Sequence, residues 1–335
     1  MADSREAAVL AVNTLAMGIS TAIVALVLVN RDYIPLRSKN IPLVLILYVS
    51  TVLWFIGDVF TYYPALVGKL SRPVCILAMS WLRISLGVFA VVSCHVFRIY
   101  QYVCIFEWRV RAQGWRLYAP LGLLAMAPVA YGGLASGLPA SKGGNAYVES
   151  PSMCVSHKPL YFAALGMLLV LLLCWLCAIL AMRRIYVCFS EFREMLAMFA
   201  CTVVIVVLQA VLRWVPGIGD QGVGYNAMVA ITDMLVGNTS LAILLLPALW
   251  HCYRDRDAYL RFFLHKLKRE NRQTEYELAN GEALGRISTS VAPSKDFGVL
   301  ECEIESPTEW TRGVANELCI RHESVSMQTD KRILV

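Results

Sequence analysis

The chain has 335 residues, of which 58% are hydrophobic and 16% are charged, and its formal net charge at pH 7 is +6. A soluble domain averages about 45–50% apolar and about 25% charged residues. This composition, with a mean hydropathy of +0.59, excludes an ordinary soluble protein and indicates a chain whose solvent is mostly lipid.

Apolar runs long enough to cross a membrane follow one another along most of the chain. A membrane-spanning helix needs about 20 mostly apolar residues, and its backbone groups must bond internally. Runs that meet this requirement cover residues 7–29, 42–63, 74–105, 117–138, 159–182, 196–214 and 225–250. The first run is too long for a cleavable signal segment, so we interpret it as an uncleaved first span.

The residues after the seventh run predict a surface helix and then a disordered tail. Leu260, Phe263, Leu264 and Leu267 recur at helical spacing among basic residues, a pattern typical of an amphipathic helix on the inner membrane surface. Cys252 beside it is a candidate for palmitoylation. The predicted fold is therefore an all-α membrane protein with a seven-transmembrane bundle (1–250), a basic amphipathic helix (251–272) and a disordered cytoplasmic tail (273–335).

Basic residues predict the orientation of the bundle. With the N-terminus outside, fifteen Lys and Arg residues fall in the inner loops and the first part of the tail, and six fall in outer segments. Inner loops are normally the more basic ones, so we expect this orientation in a multi-pass protein of the plasma membrane. Of the eleven cysteines, Cys75 at the outer end of the third run and Cys154 in an outer loop are the two on the outer side. Because that side is oxidising, we predict a disulfide between them.

Several classes of seven-helix protein do not fit the sequence. Retinal proteins need a lysine inside the last helix, whereas all eight lysines lie outside the runs. Seven-helix zinc hydrolases need several His and carboxylate ligands within the membrane, and His95 is the one histidine in a run. No soluble-enzyme motif is present, so we predict no enzyme activity, cofactor, metal or nucleic-acid partner. A transporter built from two three-helix repeats stays open.

Two segments suggest a family. The third run passes from Cys75 through Trp81 to Ser93-Cys94-His95-Val96-Phe97-Arg98, and Phe189-Ser190-Glu191-Phe192-Arg193-Glu194-Met195 leads into the sixth. In this order they resemble the membrane domain of plant and fungal seven-transmembrane regulator-of-G-protein-signalling (RGS) proteins, over about residues 7–250. The resemblance implies a receptor-like sensor whose partner is a heterotrimeric G-protein α subunit (Gα). The 85 residues after the bundle are too few and too polar for the family's RGS domain, so GTPase-accelerating activity is not expected.

Ionisable groups inside spans are costly and indicate function, and Asp58, Arg83 and Asp233 are such groups. Arg83 follows Cys75 by eight residues, about 12 Å at 1.5 Å per residue, and the two aspartates lie at similar depth on neighbouring helices. We predict that the three meet in an outer ligand site. The other candidate ligand-binding residues are Trp81, Tyr62 and Asn238.

Two interpretations of this site stay open. In one, Arg83 contacts a polar or anionic group of an extracellular small molecule or peptide. In the other, the charges form a buried ion pair that only fixes helix register.

Basic residues at the inner ends of the spans have two interpretations as well. They set topology and contact membrane lipids, or they form a docking surface for Gα. The candidate coupling residues are Arg98, Arg109, Arg111, Arg183, Arg184 and Arg193. The leading hypothesis is a receptor-like sensor in G-protein signalling. The alternatives are a seven-helix transporter of a small polar solute and a scaffold that has lost signalling.

Overall fold

The computed structural model describes residues 4–63, 71–106, 115–139, 146–149, 152–155, 158–182, 191–214 and 223–269. In these ranges seven helices are long and apolar enough to cross a membrane, which confirms the predicted all-α seven-helix bundle. We number them as the first to the seventh span, and the third is continuous through three segments. They are Ser4–Val29, Ile41–Tyr62, Arg72–Ile76 with Leu77–Phe89 and Ala90–Phe106, Trp115–Gly137, Lys158–Met182, Glu191–Trp214 and Val223–Arg254.

We name the two ends of the bundle after nearby features of the chain. The disulfide end carries Cys75, and the tail end is where the seventh span reaches Arg254. The sixth span begins at Glu191, five residues before the predicted start, and the seventh extends four residues beyond residue 250. The sixth was predicted too short because hydropathy counts a glutamate against a span, whereas Glu194 forms an ion pair with Lys39 in the structure.

The second and third spans approach each other closely at two glycines. A Cβ on Gly57 would lie 2.6 Å from the backbone nitrogen of Arg83, and one on Gly87 would lie 2.8 Å from Trp54 Cβ. Small residues at membrane helix interfaces permit such backbone contact. The third span is π-helical from Leu77 to Phe89, a form that occurs often at functional sites. This contact places Asp58, the neighbour of Gly57, beside Arg83.

Aromatic side chains fill the middle of the bundle. Phe89 packs edge-on against Tyr131 at 5.5 Å, and His95 stacks on Trp175 at 4.7 Å. The fourth span has an exposed apolar face that includes Leu123, as expected for a helix that borders lipid.

A short hairpin covers part of the disulfide end. Strands β1 (Ala146–Glu149) and β2 (Ser152–Val155) pair antiparallel. Cys154 in β2 is bonded to Cys75, with 5.7 Å between the Cα atoms. The predicted disulfide is confirmed, and it ties the hairpin to the start of the third span.

Replacing Cys75 with Ser is expected to lower the free energy of unfolding by about 2–4 kcal/mol, because the bond closes a long loop in the unfolded chain. The two cysteines are 79 residues apart. Thermal unfolding of the purified protein measures the change. The double variant C75S/C154S should unfold like either single variant, and Cys174→Ser, at an exposed thiol, should have no effect. Equal stability of C75S and C174S would contradict a structural role for the bond.

The amphipathic helix spans Arg256–Arg269, inside the predicted range 251–272, whose first four residues instead continue the seventh span. Its start is held by the loop after the first span. Tyr33 donates a hydrogen bond to the Arg256 carbonyl at 3.3 Å, and the Arg256 guanidinium lies 5.5 Å from the Tyr33 ring. Burial raises the pKa of Tyr33 to about 12, so the phenol remains a donor.

Cys252 does not lie where an acyl chain could be attached directly. It is 6% exposed, and its thiol donates to Asn30 Oδ1 at 3.8 Å. Acylation would require the thiol to leave this packed position, and lipidation of Cys252 stays a prediction. The predicted disordered tail, 273–335, lies outside the described residues.

Candidate functional site

Arg83 forms ion pairs with both predicted aspartates. Its Nε donates to Asp58 Oδ1 at 2.7 Å and its Nη2 donates to Asp233 Oδ2 at 2.6 Å. The side chain of Arg83 is 12% exposed and those of the aspartates are 1% and 3% exposed. The three charges therefore meet as predicted, and one guanidinium joins the second, third and seventh spans.

A fourth span joins this cluster through an amide. Gln209 of the sixth span donates from Nε2 to Asp233 Oδ1 at 2.7 Å and to Thr232 Oγ1 at 2.9 Å. The sequence interpretation gave Gln209 no role, since nothing in a single apolar run shows which way its side chain points. We call Asp58, Arg83, Gln209 and Asp233 the charged cluster.

The two carboxylates of the charged cluster are not equally satisfied. Each oxygen of Asp233 accepts a hydrogen bond, one from Arg83 and one from Gln209. Asp58 accepts one bond at Oδ1, and its buried Oδ2 has no hydrogen-bond partner among the described residues. Tyr62 lies at the edge of the cluster, with its ring centroid 4.8 Å from Arg83 Cζ. Tyr62 thus joins the predicted site through a cation–π contact.

Two predicted ligand residues lie elsewhere. The Trp81 indole donates to Ser136 Oγ at 2.9 Å and packs against Gly132, so it faces the fourth span. Asn238 accepts a hydrogen bond from Ser20 at 2.5 Å, which joins the first and seventh spans. Their side chains bond to other helices in the fourth and first spans, respectively, and not to the charged cluster.

At the tail end, the loop before the second span contacts two other spans, the sixth and the third. Lys39 Nζ lies 2.6 Å from Glu194 Oε2 at the start of the sixth span, and both side chains are buried. Asn40 donates to Gln101 Oε1 of the third span at 2.8 Å. Asn40 has a φ of 56°, a left-handed conformation that asparagine tolerates better than most residues. This loop therefore bridges the third and sixth spans.

The predicted coupling residues are only partly described. Arg98 is 2% exposed and donates to Tyr102 Oη at 3.1 Å. Arg98 was predicted to lie on a docking surface, and this placement is wrong because its guanidinium packs within the bundle. Arg193 is exposed. Arg109, Arg111, Arg183 and Arg184 lie outside the described residues.

The described ranges contain no group of three or more His, Cys, Asp or Glu side chains that could hold a metal ion. The charged cluster offers acceptors and donors but no arranged nucleophile and base. It can bind a charged or polar group, exchange ion-pair partners or hold a proton. No protein-family model matches this chain, and no curated protein matches it either.

Proposed function

We propose that this chain is a receptor-like sensor of the plasma membrane that acts in heterotrimeric G-protein signalling. Its ligand, an extracellular small molecule or peptide, binds at the charged cluster. The observation that carries the proposal is the position of Arg83, which joins three spans through two buried ion pairs. Charges within a membrane are costly and are concentrated at functional positions.

The mechanism is an exchange of partners at Arg83. Both bonded nitrogens of its guanidinium are held by carboxylates, so an anionic ligand group reaches them by displacing one carboxylate. Displacement of Asp58 would loosen the second span, and displacement of Asp233 would loosen the sixth and seventh. A ligand shifts a conformational equilibrium by its differential affinity for the two states.

The proposed output is at the tail end. The sixth span is held there by the Lys39–Glu194 pair, and Arg193 beside it is exposed. A movement of the sixth span would alter the surface offered to Gα. Arg193 and the basic loop residues of the sequence prediction are the proposed docking residues, and they also contact membrane lipids.

Retention of Gα tests this proposal. The full chain in lipid nanodiscs is immobilised and incubated with Gα loaded with GDP, with a GTP analogue or with no nucleotide. We expect nucleotide-free or GDP-bound Gα to be retained several-fold better than the GTP-analogue form, and Arg193→Ala to reduce retention. Equal retention of all three forms, or none of any, would contradict coupling.

The alternative is a transporter of a small polar solute, which the membrane-buried charges of Arg83 and Asp233 also favour. Flux into proteoliposomes without Gα separates the two functions, because a receptor conducts nothing. Uptake of a panel of polar solutes above that of protein-free liposomes would support transport and contradict the receptor proposal.

A further inference from the structure

The charged cluster is unbalanced in charge and in hydrogen bonds. Two carboxylates face one guanidinium, and the aspartate side chains are 1% and 3% exposed. With both aspartates ionised, the cluster carries a net negative charge away from water. An uncompensated charge in such surroundings is strongly unfavourable.

The neighbouring groups that the structure describes do not supply a second positive charge. Among the described residues, the charged groups that act on Asp58 are Asp233 and Arg83. The titratable groups on the other packed elements are tyrosine phenols and one carboxylic acid. Tyr62 and Tyr63 at the end of the second span, Tyr131 of the fourth span near Arg83, and Glu6 of the first span near Tyr63 are the titratable groups there. The sixth span contributes the uncharged Gln209.

Hydrogen bonds distinguish the two carboxylates. An ionised carboxylate is stabilised by donors to both of its oxygens, and Asp233 has them from Arg83 and Gln209. Asp58 has a donor at Oδ1 alone, while its buried Oδ2 has none in the described part of the chain. A proton on Oδ2 would turn this unmatched acceptor into a donor.

The position of Asp233 provides an acceptor for that proton. Both aspartates are bonded to nitrogens of the same guanidinium, and Asp58 and Asp233 are close enough to interact directly. A protonated Asp58 would still accept from Arg83 at Oδ1, and it could donate from Oδ2 toward Asp233. The cluster would then hold one positive and one negative charge.

We propose that the charged cluster is a proton-binding site, in which the two aspartates share one proton at neutral pH and Asp58 Oδ2 carries it. The neutral acid is then the more easily displaced partner of Arg83. The site is linked to the pH of the solution at the disulfide end, and loss of its proton adds repulsion between the second and seventh spans. This inference concerns the purified chain and does not depend on coupling to a G protein.

Infrared spectroscopy of the full chain in nanodiscs tests the proton directly. Labelling with ¹³C-aspartate separates aspartate bands from those of glutamate. We expect the carbonyl stretch of a protonated aspartate at neutral pH in the wild-type protein, its loss at alkaline pH, and its absence in Asp58→Asn. A wild-type spectrum without a protonated aspartate, or a band that survives in D58N, would overturn the proposal.

Matched amide variants provide a second test. Asparagine imitates a protonated aspartate, so D58N should unfold within a degree or two of the wild type, whereas Asp233→Asn should unfold many degrees lower because it removes the ionised partner of Arg83. Equal losses in the two variants, or failure of D58N to fold, would mean that Asp58 is ionised and would overturn the assignment. Neither measurement contains Gα, so failure here is distinguishable from failure of the proposed function.

Discussion

Replacing Arg83 with Leu is expected to lower the free energy of unfolding by about 3–5 kcal/mol, the usual cost of removing one partner from a buried ion pair. Both buried aspartates lose a bonded nitrogen at once, because Arg83 is held at 2.7 Å by Asp58 and at 2.6 Å by Asp233. Thermal unfolding in nanodiscs measures the loss. The matched control is Arg72→Leu, an exposed arginine in the same span, which should unfold like the wild type.

A compensating variant separates stability from function. R83L/D58N/D233N replaces all three ionisable side chains of the cluster with neutral ones, so it should recover most of the stability that R83L loses. If the charged cluster is the sensing site, the triple variant should reach the cell surface but give no G-protein signal in response to the extracellular ligand. An R83L variant as stable as R72L would contradict the contacts. A stable triple variant with full response would assign the cluster to helix register alone.

Replacing Glu194 with Ala is the second large expected effect, again about 3–5 kcal/mol for one partner of a buried pair. The carboxylate lies 2.6 Å from Lys39 Nζ, and the side chains are 10% and 7% exposed. The loss arises because the variant removes the buried ion pair that joins the loop to the sixth span. Urea or thermal unfolding of the variant provides the measurement.

The neighbouring Arg193 offers a matched control for this experiment, because it is exposed in the same helical turn. Arg193→Ala should leave stability nearly unchanged, and the exchanged pair K39E/E194K should recover part of the loss. If E194A and R193A unfold alike, the Lys39–Glu194 pair does not hold the sixth span to the loop.

Features that depend only on position along the chain could be predicted from the sequence. Each span is a run of apolar residues, so seven spans could be located without knowledge of packing. Depth along a helix follows from residue number, which is why Asp58, Arg83 and Asp233 were expected to meet. Sidedness of the cysteines in turn indicated the Cys75–Cys154 bond.

The direction of a side chain around its helix could not be predicted in the same way. Trp81 shares the region of Arg83 but faces Gly132 and Ser136, and the π-helical segment from Leu77 to Phe89 changes the angle between successive side chains. No sequence pattern marked that segment.

Contacts between residues that are distant in sequence could not be predicted either. Gln209 and Asp233 belong to different spans, and Lys39 and Glu194 are separated by 155 positions. The sequence predicts Arg98 at a docking surface on the inner side, yet Tyr102 and the bundle enclose it. In each case packing between helices, which a single sequence does not record, decides the contact.

The sidedness of the bundle is the claim on which sensing and coupling both depend, and epitope accessibility measures it most directly. One tag is placed before Met1 and another after Val335, and antibody binding is compared on intact and permeabilised cells. We predict that the first tag is readable on intact cells and the second only after permeabilisation. A C-terminal tag readable on intact cells would put the charged cluster on the cytosolic side and contradict the account.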